Sequence, residues 1–99
     1  MSMYITFSRS TTGTTWASTA EPAKMSALKF PVTIQCVAAS TINYDLVFSN
    51  DGQTTKSNHA TVVGATATAS GSFGEPVGDI GVDVNSVSGG SVTLHIVGQ

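Results

Sequence analysis

Between Asp79 and Gln99 apolar and polar side chains alternate in two runs. Ile80, Val82 and Val84 interleave with Gly81, Asp83 and Asn85; Val92, Leu94 and Ile96 interleave with Thr93, His95 and Val97. A period of two puts each apolar trio on one face of an extended strand, whereas a helix would scatter it around the circumference. Ser88-Gly89-Gly90 separates the runs, and a short Gly-bearing link between two alternating runs predicts a β-hairpin with one dry and one wet face. A lone hairpin is marginal in water. Its dry face therefore demands a second apolar surface, and that demand commits the chain to an all-β fold.

The second surface is legible upstream. Phe30 to Val37 turns Val32, Ile34 and Cys36 one way, and Ile42 to Ser49 does the same with Ile42, Tyr44, Leu46 and Phe48. Ser40-Thr41 reads as a brief connection between these runs, and Asn50-Asp51-Gly52 supplies residues that accept positive φ in a turn. Residues 53–59 are polar loop, and 60–73 carry Thr61-Val62-Val63 and an Ala/Thr alternation that reads as one or two thin strands. The expected architecture is a single antiparallel β-sandwich, jelly-roll or Ig-like, of six to eight short strands, with its core in residues 30–99.

Residues 1–29 read differently. Met3, Ile5 and Phe7 alternate with Tyr4, Thr6 and Ser8 as a first short strand; residues 8–19 are rich in Ser and Thr with one large apolar side chain, Trp16. They are expected to form an extended N-terminal arm and loop. Pro22 suits the first turn of a short helix over Glu21 to Leu28.

Composition narrows the function. Ninety-nine residues make one domain. Only 10% are charged, with a net charge of −2, so the surface offers little repulsion against association. Arg9, Lys24, Lys29 and Lys56 are scattered singly, which argues against nucleic acid, whose phosphates need clustered cations. The single Cys36 is in phase with Val32 and Ile34 and reads as a small buried hydrophobe rather than an intermolecular bridge or a reactive thiol. The segment from Met1 to Phe7 has no secretory pattern, and no apolar run nears the roughly eighteen residues of a membrane span. Synthesis in a cytoplasm and no membrane partner are expected.

Catalytic and cofactor signatures are missing from the pattern. His59 and His95 have no second ligand at metal spacing. Asp51-Gly52 lacks the further acids of a calcium loop. Asp79 and Asp83 share a strand face but lie about 13 Å apart, too far for paired carboxylate chemistry on one bond. No Gly-x-Ser-x-Gly occurs, and Gly71-Ser72-Phe73-Gly74 precedes neither Lys-Ser/Thr nor a helix. A non-enzymatic protein with no metal and no cofactor is expected. Interaction surfaces are the better candidates. Trp16 either plugs the end of its own sandwich or anchors the arm on a neighbour. Val47 and Val97 are out of phase with their strands and should lie on outer faces, where together with Tyr4 they would mark a contact patch.

Residues 30–99 carry a resemblance. Phe30-Pro31-Val32-Thr33-Ile34-Gln35, Ile42-Asn43-Tyr44-Asp45-Leu46-Val47-Phe48 with Asn50-Asp51-Gly52, Glu75-Pro76-Val77-Gly78-Asp79-Ile80 and the closing Gly90-Ser91-Val92-Thr93-Leu94 together resemble small all-β virion structural proteins of tailed bacteriophages. Gly78-Asp79 departs from the basic or larger residue expected before the isoleucine. The resemblance implies a capsid decoration (cement) protein or head spike on the capsid surface, present in many copies. Its implied partners are the major capsid protein and itself, a trimer at a symmetry axis being one form. A glycan-binding adhesin or tail module, and a head–tail connector or tail subunit, are the rival readings.

Overall fold

The computed structural model describes residues 3–98; Met1, Ser2 and Gln99, the extremities of the expected arm and hairpin, lie outside the described residues. Its strands are β1 (Met3–Arg9), β2 (Gly13–Trp16), β3 (Val32–Ser49), β4 (Ser57–Asn58), β5 (Ala69–Phe73) and β6 (Asp79–Gly98), with two short helices, α1 (Ala17–Ala20) and α2 (Pro22–Ala27), between β2 and β3. All pairings are antiparallel within one sheet of order β1-β6-β3-β4, to which β2 adds on β6 and β5 on β3. The sheet does not close. Pro22 stands in the first turn of α2, as the sequence predicts.

The expected hairpin does not form. Residues 79–98 are one strand, and residues 32–49, expected as two strands, are one strand as well. They pair with each other from Thr33↔Val97 to Ser49↔Asp79. A straight strand of twenty residues would run about 65 Å, yet the longest dimension of the molecule is 36 Å. The ribbon is therefore sharply bent. The bend sits at the residues read as turns: Ser40 has φ 59°, Gly89 has φ 71°, and Thr41 faces both Ser88 and Gly89 across a bulge. Bulges bend and twist a ribbon without ending it. Small residues and Gly mark a corner and a hairpin turn alike, so the sequence signal was real and its meaning was different.

A second one-residue shift falls between Asn43 and Tyr44, where Asn85 is the extra residue. Two insertions of one residue cancel in phase, and the even-numbered side chains face inward at both ends of each long strand. Ile80, Val82, Val84, Val92, Leu94 and Ile96 are all buried, as are Val32, Ile34, Cys36, Ile42, Tyr44 and Leu46. Each large aliphatic buried here contributes about 1.5–3 kcal/mol. The two halves of the bent ribbon meet across this single core. Phe73, registered with Val32 at one end of β3, packs edge-to-face at 5.4 Å on Phe48 near the other end. Residues 60–65, expected as a strand, instead hug the free edge of β3 through Leu46 N–H to the Val62 carbonyl (2.9 Å) and a reciprocal Tyr44–Ala65 pair.

Of the two forms expected for Met3 to Phe7, a first strand or an arm, the strand is the one that forms. β1 pairs along its whole length with β6, from Met3↔Gly98 to Arg9↔Val92, and buries Ile5 and Phe7 in the core. The Ser/Thr-rich stretch after it is tied down by Arg9, whose guanidinium donates to the carbonyls of Thr11, Thr12 and Thr14 and to Thr15 Oγ1. A strand supplied by residues 3–9 is needed because β6 would otherwise expose half its main-chain groups.

Candidate functional site

Two outer faces flank the bend, and they differ in kind. On the half containing β2, the start of β6 and the end of β3, the outer face is covered. Cross-strand rows run Trp16–Gly81–Val47–Asn58 and Thr14–Asp83–Asp45. The Trp16 indole lies on Gly81, where an added Cβ would come within 2.8 Å of Cε3. The loop after β3 is folded by Ser49 and Asp51, with Gln53 and Thr55 amides donating to their side chains (3.0 and 2.8 Å). These hydrogen bonds, with the Thr55 side chain first among them, hold the Asp51 carboxyl below its ordinary pKa.

The same loop places Gln53 on Asp79 (2.5 Å) and Lys56 on Asp83 (2.6 Å), one row to either side of Val47. Val47 is accordingly buried completely. The expectation that Val47 lies exposed in a contact patch is overturned: its phase was read correctly, but loop and indole cover it. Trp16 packs on its own sheet.

Buried carboxylates hold this half together. Asp79 accepts from Ser18 Oγ (2.5 Å), Gln53 and the Ile80 amide (3.0 Å); Asp45 accepts from the Gly64 amide (2.6 Å) and Asn85 (3.1 Å). Asp45 and Asp83 stand directly opposite each other, a like-charge juxtaposition that is unfavourable unless partnered. Thr14 and Lys56 on Asp83, and Gly64 and Asn85 on Asp45, supply the partners. Sequence reading missed this pair because the predicted hairpins put residues 45 and 83 in no common register.

The other outer face is open. It is built from β1, the second half of β6, the first half of β3, and β5. Its rows are Tyr4–Val97–Thr33–Ser72 and Thr6–His95–Gln35–Ser70, with Ser8–Thr93–Val37 beyond. Not one of these residues is Asp, Glu, Lys or Arg. Thr6 Oγ1 meets His95 Nδ1 at 3.3 Å and Ser8 Oγ meets Thr93 Oγ1 at 2.7 Å, so much of its polarity is internally paired. Tyr4 is 62% exposed and Val37 37%, while Val97 is half-buried between Tyr4 and Thr33 in its row. A shallow depression of about 580 Å³ lies over Thr33, Gln35, Ser70, Ser72, His95 and Val97. Tyr4 and Val97 thus share a face as neighbours. Val37, Gln35 and the β5 serines join them, residues the sequence reading passed over because their strand partners were unknown.

Nothing matches. No family model, curated protein or solved structure matched this chain. The chemistry of the open face therefore rests on its own geometry.

Two buried ionisable groups lie in the core, Cys36 beneath the open face and Tyr44 on the inner side of the covered half. Burial pushes the Cys36 thiol up to about 11, and burial together with Cys36 pushes the Tyr44 phenol up to about 12. Tyr44 donates its hydroxyl proton to the Ala67 carbonyl at 2.7 Å. Neither group ionises near neutral pH. Cys36 is expected to resist a disulfide reagent such as DTNB in the native protein at pH 8 and to react fully in denaturant. Rapid native-state labelling would contradict its placement in the core.

His59 works as a structural clasp: its Nδ1 faces the amides of Thr61 (3.2 Å) and Val62 (3.3 Å), and its Nε2 reaches the Ser72 carbonyl (3.0 Å). Amide N–H groups can only donate, so Nδ1 accepts and Nε2 carries the proton. The ring also packs edge-to-face on Phe73 at 5.2 Å. Among the described residues no three His, Cys, Asp or Glu side chains converge, and no helix is long and apolar enough to cross a membrane.

Proposed function

We propose that this chain is a non-catalytic structural protein that docks on a protein lattice through its open, uncharged face, as a decoration protein on the shell of a tailed phage. The observation that carries this reading is the contrast between the two outer faces. One is sealed by a loop, an indole and carboxylate networks. The other leaves Tyr4, Val97 and Val37 in a field of Ser, Thr and Gln with no formal charge. Such a surface costs little to desolvate, and its exposed apolar groups gain by burial against a partner.

In this reading the bent sheet serves as a two-layered β-sandwich whose rigidity comes from β3 and β6. The major capsid protein is the partner and the capsid surface is the location. The resemblance of residues 30–99 to phage virion proteins supplies that identity, and low charge on a small rigid domain is in keeping with it.

The depression favours a second reading. Gln35, Ser70, Ser72 and His95 offer neutral donors and acceptors beside an exposed Tyr4 ring, a combination suited to a sugar. One experiment separates the two. Purified protein is sedimented with shells assembled from a tailed-phage major capsid protein, and compared with a Tyr4→Asp/Val37→Asp variant. Both positions are exposed, so the variant should melt within a few degrees of the parent. Stoichiometric co-sedimentation that the variant loses is expected. Binding on a glycan array without co-sedimentation would replace the first reading with the second.

A further inference from the structure

β1 is the edge of the sheet, and its edge is guarded at one point. The Thr6 amide does not join the β1–β6 ladder; it donates to the Glu21 carboxylate at 3.2 Å. Alternation along an antiparallel strand then directs the N–H and C=O groups of Tyr4, Thr6 and Ser8 away from β6. All three residues are exposed. The Glu21 carboxylate is itself held by Lys24 Nζ at 3.0 Å, on the short helices that follow β2. That contact, with the Thr6 amide, keeps the Glu21 carboxyl below its ordinary pKa.

The segment α1–α2 that carries Glu21 also packs against β1, but the strand itself has few defences. Natural sheets blunt an edge with Pro, bulges, charges or a covering helix or loop. Met3–Arg9 has no Pro, pairs with β6 without a register shift, and carries its one charge at Arg9, which is turned back onto the Thr11–Thr15 segment.

We infer that the β1 edge is a docking strand for a second copy of this chain, and that Glu21 is the latch that keeps it closed. The occupant follows from self-complementarity. A two-fold axis at Thr6 sets Thr6 against Thr6 and Tyr4 against Ser8 of the other copy, all uncharged. That register forms about six main-chain hydrogen bonds from groups that the β1–β6 ladder does not use. The apolar residues Met3, Ile5 and Phe7 stay on the inner side and the uncharged outer faces of both copies become continuous. Each Glu21 must release Thr6, and the α1–α2 segment that carries it must give way, before the strands pair. The inference goes beyond the proposed function and does not depend on it, because pairing is read without any shell.

The test compares wild type, Glu21→Ala and Glu21→Ala/Thr6→Pro by analytical ultracentrifugation over a wide concentration range, with melting curves confirming that each is folded. Proline at position 6 removes an N–H that the β1–β6 ladder does not use, so it blocks edge pairing while leaving that ladder intact; Ser8→Pro substitutes if Thr6→Pro fails to fold. Glu21→Ala is expected to dimerise at concentrations at least roughly tenfold lower than wild type, and the proline is expected to restore the monomer. Glu21→Ala that associates no more tightly than wild type overturns the latch. A dimer that survives the proline, or a trimer in place of a dimer, overturns the edge pairing.

Discussion

A chain beginning at Ser10 is expected not to fold. Removing Met1–Arg9 deletes β1, and with it Ile5 and Phe7 from the core and every main-chain partner of residues 92–98 on that side of β6. The two side chains alone represent about 3–6 kcal/mol of burial, against a total stability of about 5–15 kcal/mol for a domain. The uncovered flank of β6 would also carry unpaired N–H and C=O groups beside exposed Leu94 and Ile96. Far-UV circular dichroism should lose its cooperative thermal transition, and amide NMR signals should collapse to the unfolded range. A truncated protein that melts cooperatively would return residues 1–9 to the role of an arm.

Gly90→Ala should be nearly as damaging, although it adds one methyl group. The new Cβ would lie 2.8 Å from the Ala39 carbonyl oxygen and closer still to that of Thr41. Both are main-chain atoms of β3 at the bend, where Ser40 already occupies positive φ and Thr41 already faces two residues. A flexible side chain would swing aside; a paired backbone has to move with its ladder. Overpacking of this kind costs about 1–3 kcal/mol and more where the neighbour is rigid, so a loss of at least about 3 kcal/mol is expected from urea denaturation. Gly89→Ala tests a different property, since nothing lies within 4 Å of its added Cβ but its φ is 71°. Its cost should be the smaller, on the order of 1–2 kcal/mol for a left-handed conformation. Equal losses at both positions would argue against close packing of the two strands at the corner.

Much of the molecule was legible as pattern. The even-numbered apolar residues of both long strands, the turn at Asn50-Asp51-Gly52 and the burial of Cys36 follow from alternation and turn chemistry, which are local. Connectivity was not legible. A Gly-rich interruption between two alternating runs is compatible with a hairpin turn and with a bulged corner, because both need small residues and positive φ. Deciding between them depends on which strand offers hydrogen-bond partners, and those partners, from Ser49↔Asp79 to Thr33↔Val97, are far away in the chain. The open face suffered the same limit. Tyr4 and Val97 were singled out by exposure and phase, but Val37, Gln35 and Ser70 become their neighbours only through the register of four strands.

Val47 marks the boundary between the two kinds of knowledge. Its phase, read from the sequence, put it on the outer side of β3, and it lies there. Whether that side meets water was decided by a loop returning over it, pinned by Gln53 on Asp79 and Lys56 on Asp83, and by an indole lying on Gly81. Alternation by itself determined that this chain is built of strands and which side chains share a face, because side-chain direction is set by the backbone two residues at a time. Tertiary structure decided which strands are continuous, which face is sealed and which edge is left to be guarded, because each depends on contacts between segments far apart in the chain.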